Sequence, residues 1–527
     1  MSALTGTTAL ARFVLRRDRV ILAICVVVAA GFVILTASSF QGLYPTAAQR
    51  AEFAASIEGN ATFTALYGPA RALDSLGGLV AWRTGATIAA LVGLMSLLLV
   101  GRHTRAEEER GRTELLRAAA VGRLAPVTAA LAVVAATDLA IAAVVALGLI
   151  GLGLPTAGSL ALGASLGAVG LVFAGVGVLA AQLAQTARGA YGIAGAALGG
   201  AFVLRAAGDA GDGTLSWLSP IGWAKATRPF AGERWWPLLL CLAAALACAS
   251  AAFALLTRRD LGSGLIAARP GPPAAGRDLR GAFGLALRLQ RRVLLAWSAG
   301  LLLVGLVLGS VGQSVADLID GSSAIADVLT QAGGADVVDS FFASVLALIA
   351  LITAGYTISS ALRLRDEESA GHVEALLSTS LGRLRWAAGH LVITLAGSAV
   401  VLLAAGTGMG IAHAIGSGDG GALPRLAGAA LAQLPAVWVL GALAVVLFGL
   451  VPRAIAIAWG ALGACALLWF VGPLLDAPRW LLDASPFEHV PAVPAAELAA
   501  GPLVGLVALT AALLGVGLAG WRRRDIG

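Results

Sequence analysis

Lysine is almost absent: the chain has one, Lys225, against 35 arginines. Charged residues of all kinds make up 12 % of its 527 residues, where a soluble globular domain carries roughly 25 %. A chain so poor in charge cannot cover its own surface with polar groups. That excludes an ordinary soluble enzyme, a disordered protein and a nucleic-acid binder. Cysteine is equally scarce. Cys25, Cys241, Cys248 and Cys465 all sit inside apolar runs, with no metal or disulfide spacing, and read as buried core. No H-E-x-x-H, C-x-x-C or G-x-S-x-G stands in a usable setting. A phosphate-binding Walker loop needs a lysine after glycine, and Lys225 follows Trp223 and Ala224. The residues therefore point to no catalytic site, no bound cofactor and no metal on this chain.

What is abundant is apolar and small. Hydrophobic residues make up 59 %, glycine contributes 68 residues, and the mean hydropathy is +0.89. Apolar runs of at least 18 residues recur along the whole length, the mark of a polytopic membrane protein. Twelve spans are predicted, each able to cross about 30 Å of hydrocarbon. They cover 20–40, 78–101, 126–151, 157–184, 189–206 and 236–257, then 293–313, 338–362, 386–413, 424–451, 454–475 and 500–520. The first run lacks a small-residue cleavage site and is expected to be retained. The net charge of +7 is read through topology. With the N-terminus in the cytoplasm, 27 of the 36 Lys and Arg fall on cytoplasmic segments. The sequence therefore predicts a multi-pass protein of the cell membrane with both termini cytoplasmic. Its outer segments are too short for a folded domain.

The chain reads as an internal duplication. Arg105–Leu124 (RAEEERGRTELLRAAAVGRL) and Arg365–Leu384 (RDEESAGHVEALLSTSLGRL) agree at nine of twenty positions at an offset of 260. Arg258-Arg259-Asp260-Leu261-Gly262 is echoed by Arg523-Arg524-Asp525-Ile526-Gly527, and Ser219-Pro220 by Ser485-Pro486. A basic amphipathic stretch opens each half, LARFVLRRDR at 10–19 and LALRLQRR at 285–292. The expected organisation is a six-span half at 1–262, a Pro/Gly-rich cytoplasmic linker at 263–280 and a second six-span half at 281–527. An even number of spans per half makes the two repeats parallel.

The repeated segment after the second span of each half is longer than a simple turn requires, and its second part favours helix. Glu107, Gly111 and Glu114 fall at i, i+4 and i+7, hence on one face of a continuous helix. Glu367, Gly371 and Glu374 repeat that face. A helical glycine costs about 1 kcal/mol against alanine, so its repetition between carboxylates suggests close approach of another backbone. Gly122 and Gly382 sit where the helix would end. The alternative is a solvated charged face, which the repetition argues against.

The E-x-x-x-G-x-x-E-x-L pattern with its trailing Gly-Arg resembles the coupling segment of ABC-2-type permeases. The amphipathic lead-in resembles that family's interfacial elbow helix, and the Ser-Pro segment its re-entrant outer hairpin. The family usually has proline two residues before the small residue. Ala120 and Ser380 stand there, so the helix is expected to run on a further turn. The whole chain is similar to fused twelve-span polyketide-antibiotic and drug exporter permeases of high-GC bacteria. The resemblance implies an all-α fold of the ABC-2, or type V exporter-like, kind. It implies a separate cytoplasmic P-loop ATPase, two copies for two coupling segments, with ATP and Mg on that partner. The coupling residues it assigns are Glu107, Glu108, Gly111, Glu114 and Arg123, with Glu367, Glu368, Gly371, Glu374 and Arg383. The cargo it implies is hydrophobic or amphipathic and antibiotic-like, moved outward through membrane lipid.

Inside the spans, Asp138 stands at the centre of the third, where a carboxylate costs roughly 2.5–3.5 kcal/mol on translocon scales. It belongs either to a substrate path or to helix packing, as do Gln182 and Gln433. His413 is expected at the membrane interface. The runs 163–170 and 406–410 read as close helix packing. A competing reading makes the chain a proton-coupled twelve-span secondary transporter using Asp138. A lipid-modifying enzyme would need a His, Asp or Glu cluster at one membrane face, and none is evident.

Overall fold

A computed structural model describes residues 2–57, 64, 67–259, 262–266, 274, 276, 279, 281–320, 337–471 and 478–524. Most of the linker expected at 263–280 lies outside the described residues. So do Asp260, Leu261, Asp525, Ile526 and Gly527 of the paired closing motifs. Among the described residues the regular structure is helical, without strands. The chain forms two compact units, Met1–Pro270 and Gly271–Gly527.

In the first unit the spans are Thr7–Leu43, Leu76–His103, Ala125–Gly151, Thr156–Leu183, Ala187–Ala210 and Pro237–Leu256. Long apolar sequences can enter hydrocarbon only with every backbone group bonded within the segment, which is what a helix supplies. Polar caps start them where the apolar run begins. Ser75 Oγ accepts from Gly78 N at 3.0 Å ahead of span two, and Thr186 Oγ1 from Gly189 N at 3.1 Å ahead of span five. Span four is the axis of this unit: 72 % of its apolar window is buried, against 17 % for span six. Its small residues allow that. A side chain at Gly163 would strike the Ala142 carbonyl, and one at Gly170 the Asp138 carboxylate.

The second unit holds Ala282–Asp320, Val337–Ala361, Arg383–Ser417, Ala422–Ala432 continued by Leu434–Leu450, Ala456–Val471 and Ala500–Arg523. The tenth span is interrupted at Gln433, just before Pro435, whose ring removes a backbone donor. Here too glycines bring backbones together: a side chain at Gly406 would meet the Leu426 carbonyl at 2.7 Å, and one at Gly410 the Leu423 Cα at 2.5 Å.

Eleven helices among the described residues are long and apolar enough to cross a membrane, so the chain is an all-α, multi-pass membrane protein. Of the span expected at 454–475, the described residues hold the apolar helix Ala456–Val471, of 16 residues. Residues 472–477 lie outside the described ones. His413, near the end of Arg383–Ser417, is buried edge-on to Phe342 at 5.0 Å between ring centroids.

The amphipathic lead-ins are continuous with the first span of each unit. In the first unit only Asp18 leaves helical geometry, at φ −106° and ψ 15°. Its buried carboxylate is held by Arg102 Nε at 2.9 Å and faces His103 Nε2 at 3.0 Å, both at the end of span two. In the second unit a neutral network joins the lead-in to its neighbours. Gln290 accepts from Ser360 and meets His390 Nδ1 at 3.2 Å.

Candidate coupling segments

The segment between spans two and three is two short helices, Arg105–Glu109 and Arg112–Arg117, with Gly111 between them at φ +72°. Its repeat is Arg363–Ser369 and His372–Leu377, with Gly371 at φ +74°. This corrects the reading of one continuous face through Glu107, Gly111 and Glu114, and through Glu367, Gly371 and Glu374. It also corrects the reason for the glycine. Nothing stands within 4 Å of a side chain placed at Gly111 or Gly371. The residue is glycine because left-handed backbone is open to it at no steric cost. Nor does the second helix run on a further turn; it ends at Arg117 and at Leu377.

The glycines expected to end the helix serve other ends. Gly382 is the N-cap of span nine. Gly122 receives the N-terminal strand of chain: its N–H donates to Thr5 O at 2.9 Å, and a side chain there would strike the Ala3 carbonyl.

The carboxylates divide into two kinds. Glu108 is clamped within its own unit. Arg259 donates to both of its oxygens at 2.7 Å, Gly262 N–H donates at 2.8 Å, and Arg105 lies at 2.9 Å. Arg259 also donates to Gln182 Oε1 at 2.8 Å, which places Gln182 in this clamp. Arg123 donates to the Leu256 and Arg259 carbonyls at 2.8 and 3.2 Å, binding the end of span six. In the second unit Arg524 donates to both oxygens of Glu368 at 2.6 and 2.7 Å. Arg383 donates to the Arg522 and Arg524 carbonyls at 3.4 and 3.0 Å. Each unit thus ties the segment after its second span to the end of its last span. In the first unit two nitrogens of Arg259 each take one oxygen, a fork that fixes orientation as well as distance, whereas in the second Arg524 Nη2 alone reaches both.

Glu107 and Glu367 are also held locally. Glu107 receives Arg17 of the lead-in at 3.1 Å and Arg112 at 3.2 Å. Glu367 meets Arg363 at 2.7 Å and His372 Nδ1 at 2.8 Å. Glu114 and Glu374, on the second short helices, are exposed. Of the ten expected coupling residues, then, Glu108, Arg123, Glu368 and Arg383 build the clasps, Glu107 and Glu367 are held beside them, and Glu114 and Glu374 face outward.

The clasp partners Arg259, Arg524 and Arg105 were not singled out by sequence reasoning. The signal was present in the closing echo, Arg-Arg-Asp-Leu/Ile-Gly, whose second arginine, Arg259 or Arg524, meets the repeated segment in each unit.

The intramembrane polar residues lie elsewhere. Asp138 is buried where spans two, three and four pack. It accepts from Ser96 Oγ at 2.7 Å through Oδ1, while Oδ2 has no hydrogen-bond partner among the described residues. At the position 260 residues on, Ser398 accepts from Trp438 Nε1 at 2.9 Å. Gln433 is buried at the break in span ten.

The helices and clasps define a polytopic all-α membrane protein whose charged segments are built into its frame. A family model described as the C-terminal domain of the multidrug efflux system permease Rv1217c matches residues 279–522. The chain is 44 % identical over 528 residues to the multidrug efflux system permease protein Rv1217c of Mycobacterium tuberculosis, spanning 100 % of this chain and 96 % of that one. The chain belongs to this family of multidrug efflux permeases.

Proposed function

We propose that the chain is the membrane-spanning subunit of an ATP-driven exporter of hydrophobic or amphipathic, drug-like compounds. The relative is named as the permease of a multidrug efflux system. The observation that carries the energy-coupling reading is the clasp. In both units a segment locked to the last span presents an exposed glutamate, Glu114 or Glu374, on its second short helix. A push on that helix is passed to span six or span twelve through the Glu108–Arg259 or Glu368–Arg524 pair rather than lost in a loose loop. The partner in this reading is a separate ATPase carrying ATP and Mg, since the only lysine cannot complete a P-loop. Two segments imply two copies of it, with both segments and both termini on the cytoplasmic side.

Two experiments test this. Mass measurement of the intact complex is expected to give one copy of this chain with two ATPase subunits; one ATPase, or two copies of this chain, would overturn the stoichiometry. Glu114→Arg and Glu374→Arg are expected to leave the chain folded, because both side chains are exposed, but to detach or uncouple the ATPase. A reversed charge at a docked surface costs several kcal/mol. Wild-type drug-stimulated ATP hydrolysis and export in both variants would remove the coupling assignment.

A further inference from the structure

The far end of the first unit, at the start of span two, holds a cleft that the coupling reading does not use. Its walls carry three cations, Arg71, Lys225 and Arg228, beside Trp82, Ser165 and Leu162. Lys225 is the chain's only lysine. It donates to the Tyr67 carbonyl, and Tyr67 lies against Trp82 with ring centroids 4.9 Å apart.

The cations outnumber their counter-charge. The nearby acid, Asp209, is already engaged by Ser216 Oγ at 2.7 Å and Arg205 at 3.3 Å. Neither Arg71 nor Arg228 has a carboxylate within 4.0 Å among the described residues. Burial pushes the Arg71 guanidinium down, and Arg228 and Arg234 push it further, with Asp209 opposing them. Burial likewise pushes the Lys225 ammonium down to about 7, against the pull of Asp209. Like charges gathered without partners raise each other's energy, and an anion between them relieves that cost.

The backbone is also unusual here. Ala72, Arg228 and Phe230 have φ of +49°, +51° and +60°, the non-glycine residues with positive φ among those described. All three flank this cleft. Such geometry is costly and collects where a binding surface has to be shaped. The echo of the Ser-Pro motif in the second half, Ser485-Pro486-Phe487-Glu488-His489, brings a glutamate and no lysine.

We infer that this cleft binds the anionic group, phosphate or carboxylate, of an amphipathic molecule, with Arg71 and Arg228 gripping the anion and Trp82 and Leu162 carrying the apolar body. The guanidiniums supply forked donors. The ring and aliphatic wall supply the hydrophobic contact that a bare ion would not use. The anion can come from a lipid headgroup or from free cargo.

The test is native mass spectrometry of the full chain in neutral detergent, titrated with dodecyl phosphate. Dodecyltrimethylammonium is the cationic control of equal tail length. Wild type is expected to bind dodecyl phosphate in preference to the cation. Arg71→Gln/Arg228→Gln is expected to weaken dodecyl phosphate by about tenfold or more. Arg71→Lys/Arg228→Lys, which keeps charge but loses the fork, is expected to fall between them. Should the glutamine variant fail to fold, the lysine variant and the wild-type preference still decide. Phosphatidylglycerol displacing dodecyl phosphate, where laurate does not, identifies a lipid headgroup; laurate displacing it as well identifies free cargo. No preference for the anion in wild type, or unchanged affinity in a folded variant, would overturn the inference.

Discussion

The two clasps use the same residue types but differ in depth. In the first unit Glu108 receives a forked Arg259, a second cation in Arg105 and a backbone N–H, and the Glu108 and Arg259 side chains are 9 % and 5 % exposed. In the second, Glu368 receives Arg524, with Arg365 at 3.5 Å, and the Glu368 and Arg524 side chains are 6 % and 22 % exposed, so the difference in depth lies in the arginine. The repeated sequence thus supplies one architecture, while burial sets its strength. Removing one partner of a buried pair costs more than the pair contributes, because the other charge is left stranded.

The largest effect is expected at Arg259, the more buried of the two arginines, because it also donates to Gln182 Oε1 and to the Ser263 carbonyl at 2.8 Å each. Arg259→Ala should destabilise the first unit by about 3–5 kcal/mol, and Arg524→Ala the second by about 1–3 kcal/mol. Thermal unfolding of the purified variants in one detergent measures both; equal losses would show that burial does not govern the difference.

A smaller contrast separates the paired glycines of the Gly-Arg-Leu motif. Gly122→Ala should cost about 1–3 kcal/mol, since its new methyl meets the Ala3 carbonyl and the backbone there must move. Gly382→Ala should be close to neutral, because Gly382 has φ −71° and open space around it. The same unfolding measurement, together with protease access to the first ten residues, checks the pair.

The smallest effect is expected at Asp138→Asn. An amide keeps the shape and can still accept from Ser96, so stability should change by less than about 1 kcal/mol. Transport into inside-out vesicles supplied with ATP and the ATPase should continue when the proton gradient is collapsed. Transport abolished by an uncoupler at saturating ATP would instead favour proton coupling. Asp138 would then be contrasted with Ser398, which has no ionisable group to offer.

Much of the fold was legible because a span needs only a long apolar run. The ends of Leu76–His103, Ala125–Gly151 and Thr156–Leu183 fall within a few residues of the runs that announce them. The break at Asp18 was not legible, since hydropathy averages over a window and one non-helical residue does not change the average. The site was half legible. Repetition marked the right segment, but the spacing of Glu107, Gly111 and Glu114 fits one helix as well as two. Only the backbone angle at Gly111 distinguishes them. The clasp joins residues 151 and 156 positions apart, and local periodicity carries no information about such a pair.

That separation gives the clasp a meaning in time. During synthesis Glu108 emerges long before Arg259, and Glu368 long before Arg524. Each glutamate waits for its distant arginine, with only Arg105 or Arg365 of its own short helix beside it, while four further apolar segments of its half are made. The pair can close only when the last span of that half has arrived with the arginine at the matching face. Closure therefore reports that a half has been threaded in the right sense, and a half inserted upside down leaves its carboxylate uncovered.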